Sequence, residues 1–343
     1  MQIKVSIMRY SYFKMIVTAI LFAVSSFFAQ AQQTDEKFVL ETQYLLYLPD
    51  QYTADTATKW PLLIFLHGSG ESGTDLNKVK VHGPPKLVEQ GRKFPFIVVS
   101  PQAPPRTGWK VEILKAMLDD LKKRYRVDHD RVYLTGLSMG GFGTWNLSEK
   151  YPDEFAAIAP ICGGGDAEQV WKLRHMPVWC FHGAKDDVVP PAASQKMIDA
   201  LKEYNSNVRF TLYPDANHNS WDVTYNNDSL YSWLLAQKRF RFKPVDQPSS
   251  VLKNYEGVYV NNVNKDTVKM VIENEKLVAK IGKNSIELKA SANDNFFWDD
   301  NSVDEVRFTR ANKDVVAGFI LLADEKVEFR KLTANKTVKT KQK

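Results

Sequence analysis

Tyr133-Leu134-Thr135-Gly136-Leu137-Ser138-Met139-Gly140-Gly141 decides how the rest of the chain is read. An apolar, β-prone segment runs into Gly136-x-Ser138-x-Gly140, and a helical pattern follows. This is the spacing of a nucleophile elbow, a sharp strand-to-helix turn that projects a serine hydroxyl clear of the backbone. Small flanking residues let the turn close and let a carbonyl approach. The helix that begins there points unpaired N–H groups at the place where an oxyanion would form. The five-residue pattern alone also fits a glycine-rich turn without chemistry. A strand before it and a helix after it select the elbow.

Outward from the elbow, strands and helices alternate. Pro61 to Leu66 is a continuous apolar run, as in a strand buried on both faces. It ends in the flexible loop His67-Gly68-Ser69-Gly70-Glu71-Ser72-Gly73. Further strands are expected over Phe38–Leu48, Phe96–Val99, Arg131–Thr135, Phe155–Ile161, Pro177–Phe181 and Val208–Tyr213. Helical spacing marks Glu112–Tyr125, Gly141–Tyr151, Ala192–Tyr204 and Ser229–Arg239. The alternation predicts an α/β fold with a doubly wound, mainly parallel sheet. In such sheets ligands bind at the carboxyl ends of the strands, which is where the unusual loops of this chain fall.

At Lys243-Pro244-Val245-Asp246-Gln247-Pro248-Ser249-Ser250 the composition changes to that of a linker. Beyond it the apolar residues alternate: Val268, Met270 and Ile272; Leu277, Ala279 and Ile281; Ile286 and Leu288; Val306 and Phe308; Val327 and Phe329. A small all-β antiparallel C-terminal domain with one face buried is expected, with no helix longer than a turn. The division is a signal peptide over 1–31, a catalytic domain over 32–242, a linker over 243–250, the β-rich domain over 251–332 and a basic tail over 333–343.

The signal peptide is read from basic residues before an apolar run, Met15 to Val24, and from Ala29-Gln30-Ala31 at the cleavage position. The run is short for a membrane span, so an exported protein, periplasmic or extracellular, is expected. Residues 1–31 hold Lys4, Arg9 and Lys14 and no acid, so without them the formal charge falls from +6 to +3. The basic balance therefore carries no nucleic-acid reading. Cys162 and Cys180 are the only cysteines, each at the end of an apolar strand-like run, and are expected as two buried thiols. No Cys/His cluster has metal-ligand spacing, so no metal is expected.

A serine needs a base to take its proton and a third group to orient that base. In an α/β sheet the chain order is Ser, acid, His. After Ser138 the histidines are His175, His182 and His218. His175 precedes a strand, at the wrong edge of the sheet. His182 ends a strand and shapes a turn. His218, in the polar loop Pro214-Asp215-Ala216-Asn217-His218-Asn219-Ser220-Trp221, is the expected base. The acid should follow the preceding strand, where Asp186 and Asp187 stand side by side; the spacing after His182-Gly183 favours Asp186, with Asp187 as a turn residue. For the oxyanion hole the expected donors are the N–H groups of Met139 and Ser69, with Gly70 as the alternate for Ser69. Trp109 and Trp221 are candidates to wall the substrate pocket, and Trp145 less so. Glu71 either binds a polar substrate group or ties down its own loop.

These five ordered motifs carry a resemblance. They are Leu66-His67-Gly68-Ser69-Gly70-Glu71, Ser100-Pro101-Gln102-Ala103-Pro104, Gly136-Leu137-Ser138-Met139-Gly140-Gly141, His182-Gly183-x-x-Asp186-x-Val188-Val189-Pro190 and His218-Asn219-Ser220-Trp221. Over residues 38–240 the chain resembles the α/β-hydrolase superfamily, and within it the bacterial esterases of the dienelactone-hydrolase, phospholipase/carboxylesterase and feruloyl-esterase-like group. The resemblance implies a serine carboxylesterase that needs no cofactor, and it does not fix the substrate; export suggests one met outside the cytoplasm, so a small ester or an acylated carbohydrate is expected. Asn217 stands before His218 where many members have Gly. A peptidase with the same triad is the rival enzyme. A binding protein whose β-domain is the working part is the rival of another class. The β-domain itself is expected to serve surface or polymer attachment, or to cover the active-site edge.

Overall fold

The computed structural model describes residues 42–332. The expected signal peptide, the first part of the Phe38–Leu48 strand and the basic tail lie outside the described residues. Within them the first half holds strands β1 (Tyr44–Tyr47), β2 (Trp60–Leu66), β3 (Ile97–Pro101), β4 (Val127–Leu137), β5 (Ala157–Ile161), β6 (Val178–Gly183) and β7 (Val208–Tyr213). Its helices are α1 (Gly83–Glu89), α2 (Val111–Arg124), α3 (Met139–Lys150), α4 (Ala192–Lys202), α5 (Trp221–Tyr225) and α6 (Asp228–Leu235).

The strands form one sheet in the order β1-β3-β2-β4-β5-β6-β7. β1 pairs antiparallel with β3, and the other pairings are parallel. β2 shows why the sheet sits between two layers. Leu62, Ile64 and Leu66 pack into one core with α2, α3 and α4, while Leu63 and Phe65 pack into a second core with α1, α5 and α6. A strand buried on both faces needs no polar alternation, which is why it reads as an unbroken apolar run.

One helix, α1, is not among those expected, and three local expectations are corrected. α1 is a helix with Pro84 and Pro85 in its first turn, where a missing N–H costs nothing; the prolines hide it from a pattern search. α5 begins at Trp221, inside the stretch expected as a polar loop. α4 ends at Lys202 rather than Tyr204, and α6 at Leu235 rather than Arg239, because their last apolar contacts, Leu201 and Leu234, come there.

After α6 the chain crosses to α7 (Ser249–Leu252), a single turn continued by a 3₁₀ turn over Lys253–Tyr255. Ser249 and Ser250, expected as linker, open it. Then come β8 (Gly257–Asn261), β9 (Thr267–Glu273), β10 (Lys276–Ile281), β11 (Asn284–Ala292), β12 (Asn295–Phe297), β13 (Glu305–Asn312), β14 (Val315–Leu322) and β15 (Lys326–Lys331). They close into an antiparallel barrel ordered β10-β11-β12-β13-β14-β15-β8-β9. The one-faced sheet expected from alternation is thus a closed cylinder, in which no strand is left with an open edge. Its interior is built from the alternating residues, including Val268, Met270, Leu277, Ala279, Leu288, Val306 and Phe308.

The barrel is fastened to one edge of the parallel sheet. Arg174 and His175, just before β6, reach Glu305 at 2.5 and 3.3 Å. The Asp153 carboxylate, just before β5, accepts the Val303 N–H at 2.6 Å. Phe242 stacks on Phe297 with ring centroids 4.7 Å apart. These contacts gather at the N-terminal ends of β5 and β6. Ser138, Asp186 and His218 follow the C-terminal ends of β4, β6 and β7. A five-residue strand separates the two edges by ~17 Å. Covering of the active-site edge by the β-domain is therefore not what these contacts do.

Candidate active site

The elbow forms because its glycines are the only residues that fit. A Cβ on Gly140 would lie 2.0 Å from the Leu66 carbonyl oxygen, and one on Gly136 would lie 2.3 Å from the Gly140 oxygen. β2, β4 and the start of α3 therefore touch backbone to backbone. Ser138 between them takes φ 52°, ψ −117°, a conformation side chains rarely adopt and a sign of strain held by the surrounding packing. Its own N–H is anchored on the Ile161 carbonyl at 2.9 Å. The hydroxyl is left free to face the next loops.

There the Ser138 hydroxyl meets His218 Nε2 at 3.0 Å, and His218 Nδ1 meets Asp186 Oδ2 at 2.7 Å. With Nδ1 donating to a carboxylate, Nε2 is the nitrogen left to accept the hydroxyl proton. Asp186 is buried, and its other oxygen accepts the N–H groups of Val188 and Val189, both at 2.9 Å. Burial pushes its carboxyl up, but the hydrogen bonds from His218, Val189 and Val188 outweigh this and hold it below the ordinary carboxylate range. Asp187 is exposed on the turn. Of the neighbouring pair, Asp186 is the one that reaches a histidine.

Met139 opens α3, where the first N–H groups have no intrahelical partner. Ser69 and Gly70 stand exposed in a 3₁₀ turn over Ser69–Glu71, directly after β2. Gly68 brings that turn against the nucleophile: a Cβ there would lie 3.7 Å from Ser138 Cβ and 3.3 Å from Glu71 Oε2. The loop is held from below by His67, whose role the sequence reading left unassigned. Buried His67 accepts the Ala103 N–H on Nε2 at 3.0 Å, and its Nδ1 lies 2.5 Å from the Gly68 carbonyl. Burial depresses the basicity of its ring. Trp109 closes the same corner, donating its indole N–H to the His67 carbonyl at 3.2 Å.

From His218 a short row of side chains leads back to Glu71. The Trp221 ring stands edge-on to His218 at 5.1 Å and to His82 at 5.4 Å. His82 Nε2 lies 3.9 Å from Glu71 Oε1. His82 was missed by the sequence reading, since no motif flags a lone histidine ahead of a helix. Among the described residues, Glu71 Oε2, His82 Nδ1 and Trp221 Nε1 are buried polar atoms without a partner in the protein. Such atoms are costly unless something pairs with them. Trp145, by contrast, is wholly buried in the core under α3.

Both cysteines are free and buried. Cys162 has a role the sequence reading did not assign: its thiol donates to the His218 carbonyl at 3.1 Å and lies 2.7 Å from Ser220 Oγ, pinning the histidine loop. Burial pushes that thiol up to about 12. Cys162, His182 and Asp186 offer ligand atoms within 4.8 Å of one another. That trio does not suit a cation. Cys162 Sγ is engaged by the His218 carbonyl and Ser220 Oγ, the Asp186 oxygens are taken by His218, Val188 and Val189, and His182 sits between Ser194 Oγ at 2.7 Å and the Val189 carbonyl at 2.9 Å.

Comparison with known proteins bears on the fold and on family likeness. The model of the dienelactone hydrolase family matches residues 97–229, a span that holds Ser138, Asp186 and His218. A bifunctional acetylxylan esterase/xylanase of Neocallimastix patriciarum is 29% identical over 189 residues, covering 52% of this chain and 27% of that protein. Poly(3-hydroxyalkanoate) depolymerase C of Paucimonas lemoignei is 49% identical over a segment of 51 residues, 15% of this chain and 12% of that one. The matched part thus spans about a quarter or less of these relatives. A thermostable esterase of known structure superposes with a TM-score of 0.51 at 34% identity, covering 60% of this chain and 61% of that one. The sheet of residues 42–242 has the α/β-hydrolase fold, followed by the antiparallel barrel.

Proposed function

We propose that this chain, whose residues 97–229 match the dienelactone hydrolase family, is a serine hydrolase of carboxylic esters working through an acyl-enzyme. The observation that carries the reading is the unbroken relay from Ser138 through His218 to Asp186, at 3.0 and 2.7 Å, on a strained strand-to-helix turn.

The steps follow from that relay. Ser138 Oγ attacks the ester carbonyl while His218 Nε2 takes the hydroxyl proton. The carbonyl oxygen becomes an oxyanion, which the N–H groups of Met139 and Ser69 stabilise from fixed positions. His218 passes its proton to the departing alkoxide, so an alcohol leaves and the acyl group stays on Ser138. A water then gives its proton to His218 and attacks the acyl carbonyl. Collapse frees the acid and returns the proton to Ser138. Asp186 remains an anion throughout, holding the imidazole in one tautomer and stabilising its cation.

The substrate reading rests on Glu71, His82 and Trp221. They adjoin the triad through Gly68 and His218, and their acceptor and donor groups suit a hydroxylated alcohol, which both donates and accepts. An acyl group on a carbohydrate meets that description, and a relative's name, acetylxylan esterase/xylanase, points the same way. Export, read from residues 1–31, would bring the enzyme to such substrates. Among the described residues no helix is long and apolar enough to cross a membrane.

The test is a rate comparison. Acetylated xylo-oligosaccharide and p-nitrophenyl acetate should both be hydrolysed, and His82→Phe should lower kcat/KM for the sugar ester by more than for the aryl ester. Equal loss on both, or no ester hydrolysis at all, contradicts the reading.

A further inference from the structure

We propose that the open end of the C-terminal barrel is a binding site for one small, uncharged, apolar molecule, an alcohol or ester with an aromatic or medium-length alkyl body. The two ends of the barrel differ. One is plugged: Tyr255, from the turn after α7, packs on Phe308 at 4.6 Å and on Phe296 at 4.9 Å, and its hydroxyl joins Asp294 at 3.0 Å. Arg310 locks the same end by pairing with Asp294 at 2.7 Å. Leu252 of α7 is buried over this plug.

Among the described residues no helix covers the other end. It carries the turns that join β8 to β9, β10 to β11, β12 to β13 and β14 to β15, of which the β12–β13 turn packs on the α/β domain through Val303 and Asp153. A cavity of about 450 Å³ opens there and runs down to Met270, Leu288 and Phe319 in the barrel core. Ile286, Trp298 and Leu321 line it half-buried, and Ile281 is 44% exposed at its mouth. Barrels of eight strands are just wide enough to be filled by side chains or to hold one small ligand. Here side chains fill one half and leave the other vacant. The volume lies within the range of ligand pockets, about 300–1,000 Å³.

Charge narrows the ligand. Asp266 lies at the mouth, and the adjoining cleft is lined by Glu325 and Glu328 against a single Lys326. Lys265, Lys283 and Asp324 stand in the turns of the same end, so a carboxylate head would find no net counter-charge at this mouth. A hydroxyl or ester oxygen could instead use Thr267 or the asparagines of that cleft, Asn261, Asn262 and Asn264. The body of the ligand would be taken from water into apolar surroundings, worth about 25 cal/mol per Å² buried.

The experiment uses the full chain and the uncharged dye N-phenyl-1-naphthylamine. One saturable site is expected, with energy transfer from Trp298, the single tryptophan of residues 251–332. Trp298→Phe should keep the site and lose part of the transfer. Ile286→Trp and, as a second filling variant, Leu321→Trp should weaken binding at least tenfold. Both should keep the parent's p-nitrophenyl acetate turnover. Octanol should displace the dye and octanoate should not. Absence of saturable binding, or equal affinity in both filling variants, overturns the site; equal displacement by octanoate overturns the ligand class.

Discussion

Arg174 donates its Nε–H to Glu305 across 2.5 Å with both side chains buried, joining the barrel to the edge of the sheet opposite Ser138. Two short chains of contact thus leave the same sheet in opposite directions. One, at the strand C-termini, carries the chemistry; the other, at the N-termini, carries the attachment.

That pair should matter for stability and not for turnover. Burial pushes the Glu305 carboxyl up, but hydrogen bonds from His175 and Arg307 and the charge of Arg174 outweigh it and hold it at about 2. Glu305→Gln leaves the buried guanidinium without its anion, at a cost of roughly 3 kcal/mol in thermal or urea unfolding. The sign in pH follows. A depressed carboxyl contributes stability above its unfolded value of 4.5 and loses it as pH falls toward about 2. The parent should therefore lose more stability than the variant between those pH values, while small-ester turnover at neutral pH stays the same in both.

Glu149 predicts the reverse slope. It is buried with Oε1 unpaired, and burial pushes its carboxyl up to about 8. A raised carboxyl contributes stability that is fully present below 4.5 and lost as pH rises through about 8. Glu149→Gln should match the parent near pH 5 and exceed it near pH 8 by about 1–3 kcal/mol, since each pKa unit is worth about 1.4 kcal/mol and relaxation takes part of it. Unfolding curves at the two pH values decide; a parent that is stabilised by alkali relative to the variant would sink the assignment.

Removing the barrel tests the division of labour. A chain ending at Phe242 should fold, unfold at a lower temperature because Arg174, His175 and Phe242 lose their cover, and keep most of its turnover on p-nitrophenyl acetate. Folded protein with no turnover would mean that the barrel helps to build the site.

Asp186→Asn should lower kcat by roughly 10³–10⁴, by the measure of other triads, while Asp187→Asn changes it little. Asp186 accepts three hydrogen bonds and touches His218; Asp187 is exposed. Reversed effects in the two variants would assign the acid to Asp187.

The readable parts of this chain are those where one local requirement dominates. The Gly136-x-Ser138-x-Gly140 turn tolerates no Cβ at its glycines, so composition announces it. β2 is buried on both faces and reads as an apolar run; the barrel strands are buried on one and read as alternation. What stayed hidden depends on distant partners. Closure of the barrel relies on short β12 and on β8, whose inward residues Tyr259 and Asn261 give a weak alternation. The roles of His67, His82 and Cys162 come from loops that meet only in the folded chain. α1 is masked by its prolines.

The central claim is that Ser138 carries the acyl group. Reaction with a fluorophosphonate followed by peptide mass spectrometry measures this directly. The account predicts one adduct, on the peptide holding Ser138, that is lost in Ser138→Ala and strongly slowed in His218→Ala. An adduct on another residue, or ester hydrolysis that survives Ser138→Ala at the parent's rate, would contradict it.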